Sequence, residues 1–409
     1  MKTCHRLWAT PLFALAQPAL AAPGDPVTLA GGLSLDPIID ARLRYEHVDQ
    51  PATEADALTM RLRAGFEAKH ATSHLALLAE AEGTLGIVSD YNAFPFAIAD
   101  RQRRPQYSVV ADPMNLELNR LQLQYKTPAT TLTVGRQRIN LDDQRWVGSV
   151  GWRQNEQTFD AARAEARVGP VSVDATYAIS QRTIFGVDAG PRQSLRGDHI
   201  FLGAGVKAGP VQLKGFAHLL DYDDVFFRTN SSQTYGARAT VAVPIAAKAT
   251  LNLAGSYARQ VDDGANPFDY SADYIAGEAS TRLAGLTLTG GWEKLGSDNG
   301  RAVQTPMATG HKFGWADTFL ITPNTGLRRA YGTLACKFER LTALPGLNAA
   351  VTWHQFDSDV GSIDYGHEWD ASLGFRIGRV AILGKYANYQ ASGFGVDTEK
   401  FWLQAEFSL

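Results

Sequence analysis

Hydrophobic and polar residues alternate along most of this chain. Leu58, Met60, Leu62, Ala64, Phe66 and Ala68 fall on one parity, and Thr59, Arg61, Arg63, Gly65, Glu67 and Lys69 on the other. Val171, Val173, Ala175, Tyr177 and Ile179 alternate with Ser172, Asp174 and Thr176 in the same way. Trp369, Ala371, Leu373 and Phe375 alternate with Glu368, Asp370, Ser372 and Arg376. A period of two puts the two sets on opposite faces of a strand, one greasy and one wet. Apolar spacing of the i, i+3, i+4 kind is scarce in these segments, so helices are not predicted there.

The connections between the alternating segments differ in length. Short ones fall at 69–72, 127–129, 168–170, 208–210, 244–246, 283–285, near 345–346 and at 377–379. Long polar ones fall near 48–56, 86–114, 139–153, 181–197, 222–233, 260–271, 296–326, 357–365 and 390–397. Short and long links alternate, as in an up-and-down antiparallel barrel with tight turns at one rim and loops at the other. Nine long and eight short links predict about 18 strands. The last stretch, Phe401 to Leu409, keeps the alternation with Phe401, Leu403, Ala405, Phe407 and Leu409 on one parity. Such a strand is an aggregation hazard as a free edge, and closure against the segment near Asp40 to His47 would remove that edge.

The first residues sharpen the class. Lys2 and Arg6 precede an apolar run through Leu12 to Ala16, and Ala19-Leu20-Ala21 forms a cleavage signature. Residues 1–22 are therefore expected to be a secretory signal peptide, with 23–409 a single barrel domain. Beyond it no apolar run approaches the roughly 20 residues of a membrane helix. A secreted chain can still span a membrane as a closed barrel, because every backbone group is then satisfied by a neighbouring strand. The expectation is an all-β transmembrane barrel in a bacterial outer membrane. Tyr125, Tyr177, Tyr257, Tyr386 and Phe407 suit its interfacial aromatic girdles. With 39 basic and 42 acidic residues the charge balance gives no reason to expect nucleic acid.

Charge on the polar parity is the most informative chemistry. Arg42, Arg44, Arg61, Arg63, Arg163, Arg167, Arg238, Arg376 and Lys385 fall there, together with Asp40, Glu46, Glu67, Glu80, Glu82, Asp160, Glu165, Glu368 and Asp370. Facing lipid at mid-depth, an Arg or Lys would cost about 2–4 kcal/mol, so these residues are expected to face the lumen. Two readings follow. The guanidinium groups either attract carboxylate solutes or pair with the acids and brace the wall. No enzyme constellation is present: Gly203-Ala204-Gly205 lies inside an alternating strand where a dinucleotide fold needs a helix start, and no zinc-protease or nucleophile-elbow motif occurs. His354, His367, Asp357 and Asp359 lack tight ligand spacing. No metal, cofactor or catalytic residue is predicted.

Four further stretches carry a family likeness. Val134-Gly135-Arg136-Gln137-Arg138 runs through Asp142, Asp143 and Arg145 to Trp152-Arg153-Gln154-Asn155 and Gln157-Thr158-Phe159-Asp160. Thr305-Pro306-Met307 leads through His311-Lys312-Phe313 and Trp315-Ala316-Asp317 to Phe319, Thr322-Pro323 and Gly326-Leu327. The strand start Tyr365 to Asp370 and Lys385-Tyr386-Ala387 complete the set. Together they resemble the alginate-export family of outer-membrane barrels. The resemblance implies an 18-stranded barrel with an electropositive constriction that passes an anionic polysaccharide or another organic anion. It also implies outer-membrane lipid and candidate periplasmic export proteins as partners. It puts Arg136, Arg138, Arg145, Arg153 and Asp160 at the lumen or constriction, and His311, Lys312, Trp315 and Asp317 in a structured outer loop. The alternatives are a general or substrate-selective porin for small solutes, and a plugged barrel that binds a ligand through its loops.

Overall fold

A computed structural model describes residues 26–246, 249–283, 285–308, 313–339, 341 and 343–409. The expected signal segment, 1–22, lies outside the described residues. Eighteen strands build one closed antiparallel sheet. They are β1 Leu33–Gln50, β2 Thr53–His70, β3 Leu75–Asp90, β4 Asn115–Lys126, β5 Thr130–Gln137 and β6 Thr158–Val168. Next come β7 Val171–Arg182, β8 Ser194–Ala208, β9 Val211–Tyr222, β10 Ser232–Ala246, β11 Ala249–Asp262 and β12 Ser271–Leu283. The last six are β13 Leu286–Leu295, β14 Leu327–Lys337, β15 Asn348–Asp357, β16 Asp364–Ile377, β17 Val380–Ala391 and β18 Thr398–Ser408. Each pairs with its neighbour in sequence, and β18 returns to β1 with Asp40 opposite Ser408 and Asp49 opposite Glu399. The apolar last strand thus has a partner on both sides, and the closed sheet has no edge.

The outward face is the apolar parity. Leu62, Leu123, Val173, Leu202, Leu253, Leu334 and Leu373 are all exposed on it, as lipid-facing positions must be. Toward the long-loop rim this band ends in tyrosines whose hydroxyls donate to an acceptor on the same face. Tyr257 reaches Asp273 at 2.8 Å and Tyr235 reaches Gln233 at 2.6 Å, while Tyr45 and Tyr177 hydrogen-bond Asp56 and Asp198. A ring buried in hydrocarbon with its hydroxyl on a wet acceptor is how tyrosine marks a membrane boundary.

Two connections differ from the sequence expectation. The long link near 48–56 is a tight turn at 51–52, with Gln50 opposite Thr53, because β1 and β2 continue past the apolar band. Their parity is inverted there: His47, Asp49 and Glu54 lie outside, whereas Val48, Ala55 and Ala57 are buried against Tyr91, Phe94 and Val110 of the 91–114 loop. The short link near 345–346 is longer than expected and spans 338–347.

The barrel is not hollow at its long-loop end. Inward positions that are polar lower down become apolar there: Phe159, Phe201, Leu220 and Tyr222 pack with Ile139, Leu141, Val147 and Met307. Tyr274, Leu295, Phe356, Tyr365 and Tyr389 pack with Val303, Phe313 and Phe319. These are cores between the wall and two loops, 138–157 and 296–326, that turn into the barrel. Burying a loop needs such a core, since its backbone loses water.

Candidate functional site

The 138–157 loop crosses the lumen as a strap, and paired charges hold it. At the β1–β4 side Arg42 donates to the carbonyls of Gly151, Trp152 and Arg153 at 3.3, 3.1 and 3.2 Å, and to Glu406 at 3.0 Å. Arg44 donates to Trp152 O at 2.5 Å and Gln404 at 2.7 Å, and lies 3.5 Å from Asp112. Arg61 bridges Asp40 and Glu406, and Arg63 bridges Glu82 and Glu156. Arg138 grips Glu156 with both arms of its fork at 2.7 and 2.6 Å. Apart from Arg138, which is 16% exposed, these side chains are almost completely withdrawn from water. Removal of charges from water is costly unless each finds a partner, and here each does.

At the far end of the strap Arg145 donates through Nη2 to Glu293 Oε2 at 2.7 Å, with its Nε 2.7 Å from Oε1. Glu293 also accepts from Tyr274 and lies 3.3 Å from Arg329. Between these ends the tip residues Asp142 and Asp143 meet Lys214 on β9 and Arg238 on β10 at 3.0 and 3.1 Å. Strap and second loop meet where Asp317 accepts from Arg153 at 2.5 Å and from Lys400 at 2.9 Å. Burial by itself would raise the Asp317 carboxyl, but Lys400 and Arg153 prevail and hold it at about 2. Glu156 is likewise kept below the usual carboxylate range, against the effect of burial, by Arg138 and Arg63. Burial would lower the Arg153 guanidinium, and Glu46 and Asp317 overcome this and raise it.

One inward cation is different. Lys385 on β17 lies with its Nζ 3.7 Å from the centre of the Trp152 ring and 3.8 Å from that of Trp315, with Trp402 at 5.1 Å. Among the described residues no carboxylate forms an ion pair with it. It is only 4% exposed, its contacts are indole faces, which attract a cation through their quadrupole, and the charges of Asp370, Asp317 and Glu46 act on it from nearby. Trp152 belongs to the strap, Trp315 to the 296–326 loop and Trp402 to the wall, so Lys385 lies where the three converge. The Trp315 amide is fixed by Glu368 Oε1 at 2.5 Å. Gly314 carries φ 85°, and a Cβ there would collide with the same carboxylate, which explains glycine at that position.

The residues singled out from sequence are thus distributed among distinct environments. Arg138, Arg145 and Arg153 lie in the strap, Arg42, Arg44 and Arg63 hold it, and Arg61 pairs with the wall carboxylates Asp40 and Glu406. Arg163 faces the lumen below it and pairs with Glu165 at 2.8 Å. Arg167 and Arg376 are exposed on the inward parity near the short-turn rim, apart from the rest. Arg136 and Asp160 are not in the lumen. They form a two-armed pair at 2.7 and 3.1 Å on the outward face, with Arg136 in register with the lipid-side residue Leu121. The alternation runs unbroken here: Arg136 keeps the outward parity of Leu132 and Val134, and Asp160 that of Ala162 and Ala164, so the expected lumen position is corrected by register alone. Gly135 between them has φ 113°, and a Cβ there would strike the Leu121 carbonyl. Trp315 and Asp317 belong to a long-rim loop that folds inward, and His311 and Lys312 lie outside the described residues. Sequence reading missed Asp142, Asp143, Lys214 and Trp402. The apolar Ile139, Leu141 and Val147 beside the strap's charges were the available signal that this loop is buried.

A closed 18-stranded barrel with an apolar outer band, tyrosine boundaries and a polar interior is an outer-membrane channel protein. The family model described as alginate export matches residues 38–293, more than half of the chain, and the chain belongs to that family. Among solved structures it is similar to OccK1 (OpdK) of Pseudomonas aeruginosa, at 16% identity and a TM-score of 0.69, over 92% of this chain and 98% of that one. A structure of OpdK with vanillate matches equally, at 16% identity, TM-score 0.69 and coverage of 92% and 98%. OccAB4 of Acinetobacter baumannii matches at 12% identity and a TM-score of 0.68, over 92% and 98%. No curated protein sequence matches this chain.

Proposed function

We propose that this barrel is a selective channel for small organic anions, with a carboxylate as the recognised group. The observation that carries this reading is Lys385, an inward cation with aromatic faces around it and no paired carboxylate among the described residues. A solute with a carboxylate and an apolar or aromatic body matches both features, through charge at Lys385 and through apolar contact with the half-buried Trp152 and Trp315. Vanillate, present with the similar barrel OpdK, is such a solute. Most of the lumen arginines do not contribute in the same way, because Arg42, Arg61, Arg63, Arg138 and Arg153 are already paired with carboxylates.

A polysaccharide such as alginate shares the carboxylate chemistry but needs an unbroken path. The strap, tied to β1 through Arg42 and to β13 through Glu293, favours small solutes over a polymer. The test is planar-bilayer recording with benzoate as the permeant anion. The wild type should carry benzoate in preference to sodium, and Lys385→Met should reduce that preference in a barrel that remains heat-modifiable. Equal permeation of benzoate and sodium in both proteins would overturn the reading.

A further inference from the structure

We infer that Lys214 and Arg238 form a second anion seat in the lumen, and that Asp142 and Asp143 at the tip of the strap occupy it as a tethered competitor of the solute. The inference rests on the reading that organic anions permeate.

The seat is defined by register. Lys214 on β9 lies directly opposite Arg238 on β10, and both face inward. Like charges directly opposite on neighbouring strands are unfavourable without an anion between them. A wall carboxylate meets one of the two charges, and the loop supplies the rest: Asp142 Oδ1 lies 3.0 Å from Lys214 Nζ, and Asp143 Oδ2 lies 3.1 Å from Arg238 Nη1. The wall adds Asp174 at 3.0 Å from Lys214 and Ser256 Oγ at 3.1 Å from Arg238. With two cations facing loop carboxylates, the site has the chemistry of a carboxylate receptor.

Two observations mark the occupant as exchangeable. First, water reaches all four side chains: Lys214 is 24% exposed, Arg238 20%, and Asp142 and Asp143 28% each. Ion pairs in such surroundings are weak and screened. Second, the tip is bent. Asp142 has φ 49° and Gln144 has φ 61°, left-handed conformations that residues other than glycine adopt at a cost. A bent tip held by weak pairs is released when another carboxylate takes its place. Gly203 lets the Lys214 stem and Asp174 lie against the wall, since a Cβ there would strike both.

The experiment measures block of the chloride current by benzoate in planar bilayers, with folding checked by heat-modifiability. In the Asp142→Asn/Asp143→Asn variant the competitor is gone, so half-block should occur at about fivefold lower benzoate concentration. In Lys214→Gln/Arg238→Gln the benzoate dependence should largely disappear. A half-block concentration unchanged in both variants, in a wild type that is anion-selective, would overturn the seat while leaving the channel reading intact. A wild type that prefers cations would instead overturn the channel reading itself. Should the variants not fold, hydrogen exchange of the wild type decides: amides of residues 141–145 should exchange faster with benzoate present, and unchanged exchange contradicts the inference.

Discussion

The two flanks of the strap use the same residue types to opposite ends. Where residues 151–157 meet β1–β4, arginines and carboxylates are dry, forked and shared among several partners, as with Arg153 between Glu46 and Asp317. Where residues 142–143 meet β9 and β10, the pairs are wet and single-armed. In the first setting a missing partner leaves a buried charge uncompensated, so the cluster behaves as fixed structure. In the second, water stands ready to replace either partner, so the pairs can exchange with solute. Between these two flanks burial, and not residue type, separates fixed pairs from exchangeable ones.

The comparison breaks most directly at Arg153. Arg153→Ala should lower unfolding stability in lipid vesicles by about 3–5 kcal/mol, since buried Glu46 would lose its ion-pair partner and Asp317 would keep only Lys400. A denaturant titration showing a loss under about 1 kcal/mol would place this cluster with the exposed pairs. The wall supplies an intermediate case. Leu373→Arg puts a charge into lipid and should cost about 2–4 kcal/mol, whereas Ser372→Arg, one residue earlier and inward, should cost much less. Equal losses from both would contradict the assignment of faces.

Acid sharpens the same contrast. The Asp317 carboxyl is held at about 2, below its ordinary 3.8, so its ion pairs are intact above 3.8 and are lost as pH falls through about 2. Single-channel conductance governed by the contact between the two loops should therefore hold steady down to the ordinary carboxylate range and change only below it. A transition near neutral pH would point to another group. The smallest stability effect belongs to the wet flank: Asp142→Asn should shift unfolding by less than about 1 kcal/mol, while altering benzoate block.

Much of the fold was legible in the sequence because lipid on one side and polar lumen on the other impose a period of two on every strand. That constraint also revealed which arginines face inward on β1 and β2, where nothing interrupts the alternation. It did not reveal their partners. Arg42 meets Glu406 across 364 positions of sequence, a pairing fixed only by barrel closure. Parity held at Gly135: Arg136 follows Leu132 and Val134 to the outer surface and Asp160 follows Ala162 and Ala164, where the two charges pair with each other instead of facing the lumen. It failed near 48–56, where a hairpin above the membrane reversed its faces and read as a loop. The inward course of 138–157 was written in Ile139, Leu141 and Val147, which an exposed loop would not need. Its contact with Lys214 depends on tertiary placement that no local pattern carries.

The central claim is that this barrel selects organic anions through cations in its lumen, and the most direct measurement is the reversal potential of the wild-type channel across a sodium benzoate gradient. The account predicts a potential displaced toward the benzoate equilibrium value, with the displacement larger at low ionic strength, where screening of Lys385, Lys214 and Arg238 is weakest. A potential displaced toward the sodium value, or one indifferent to ionic strength, would contradict it.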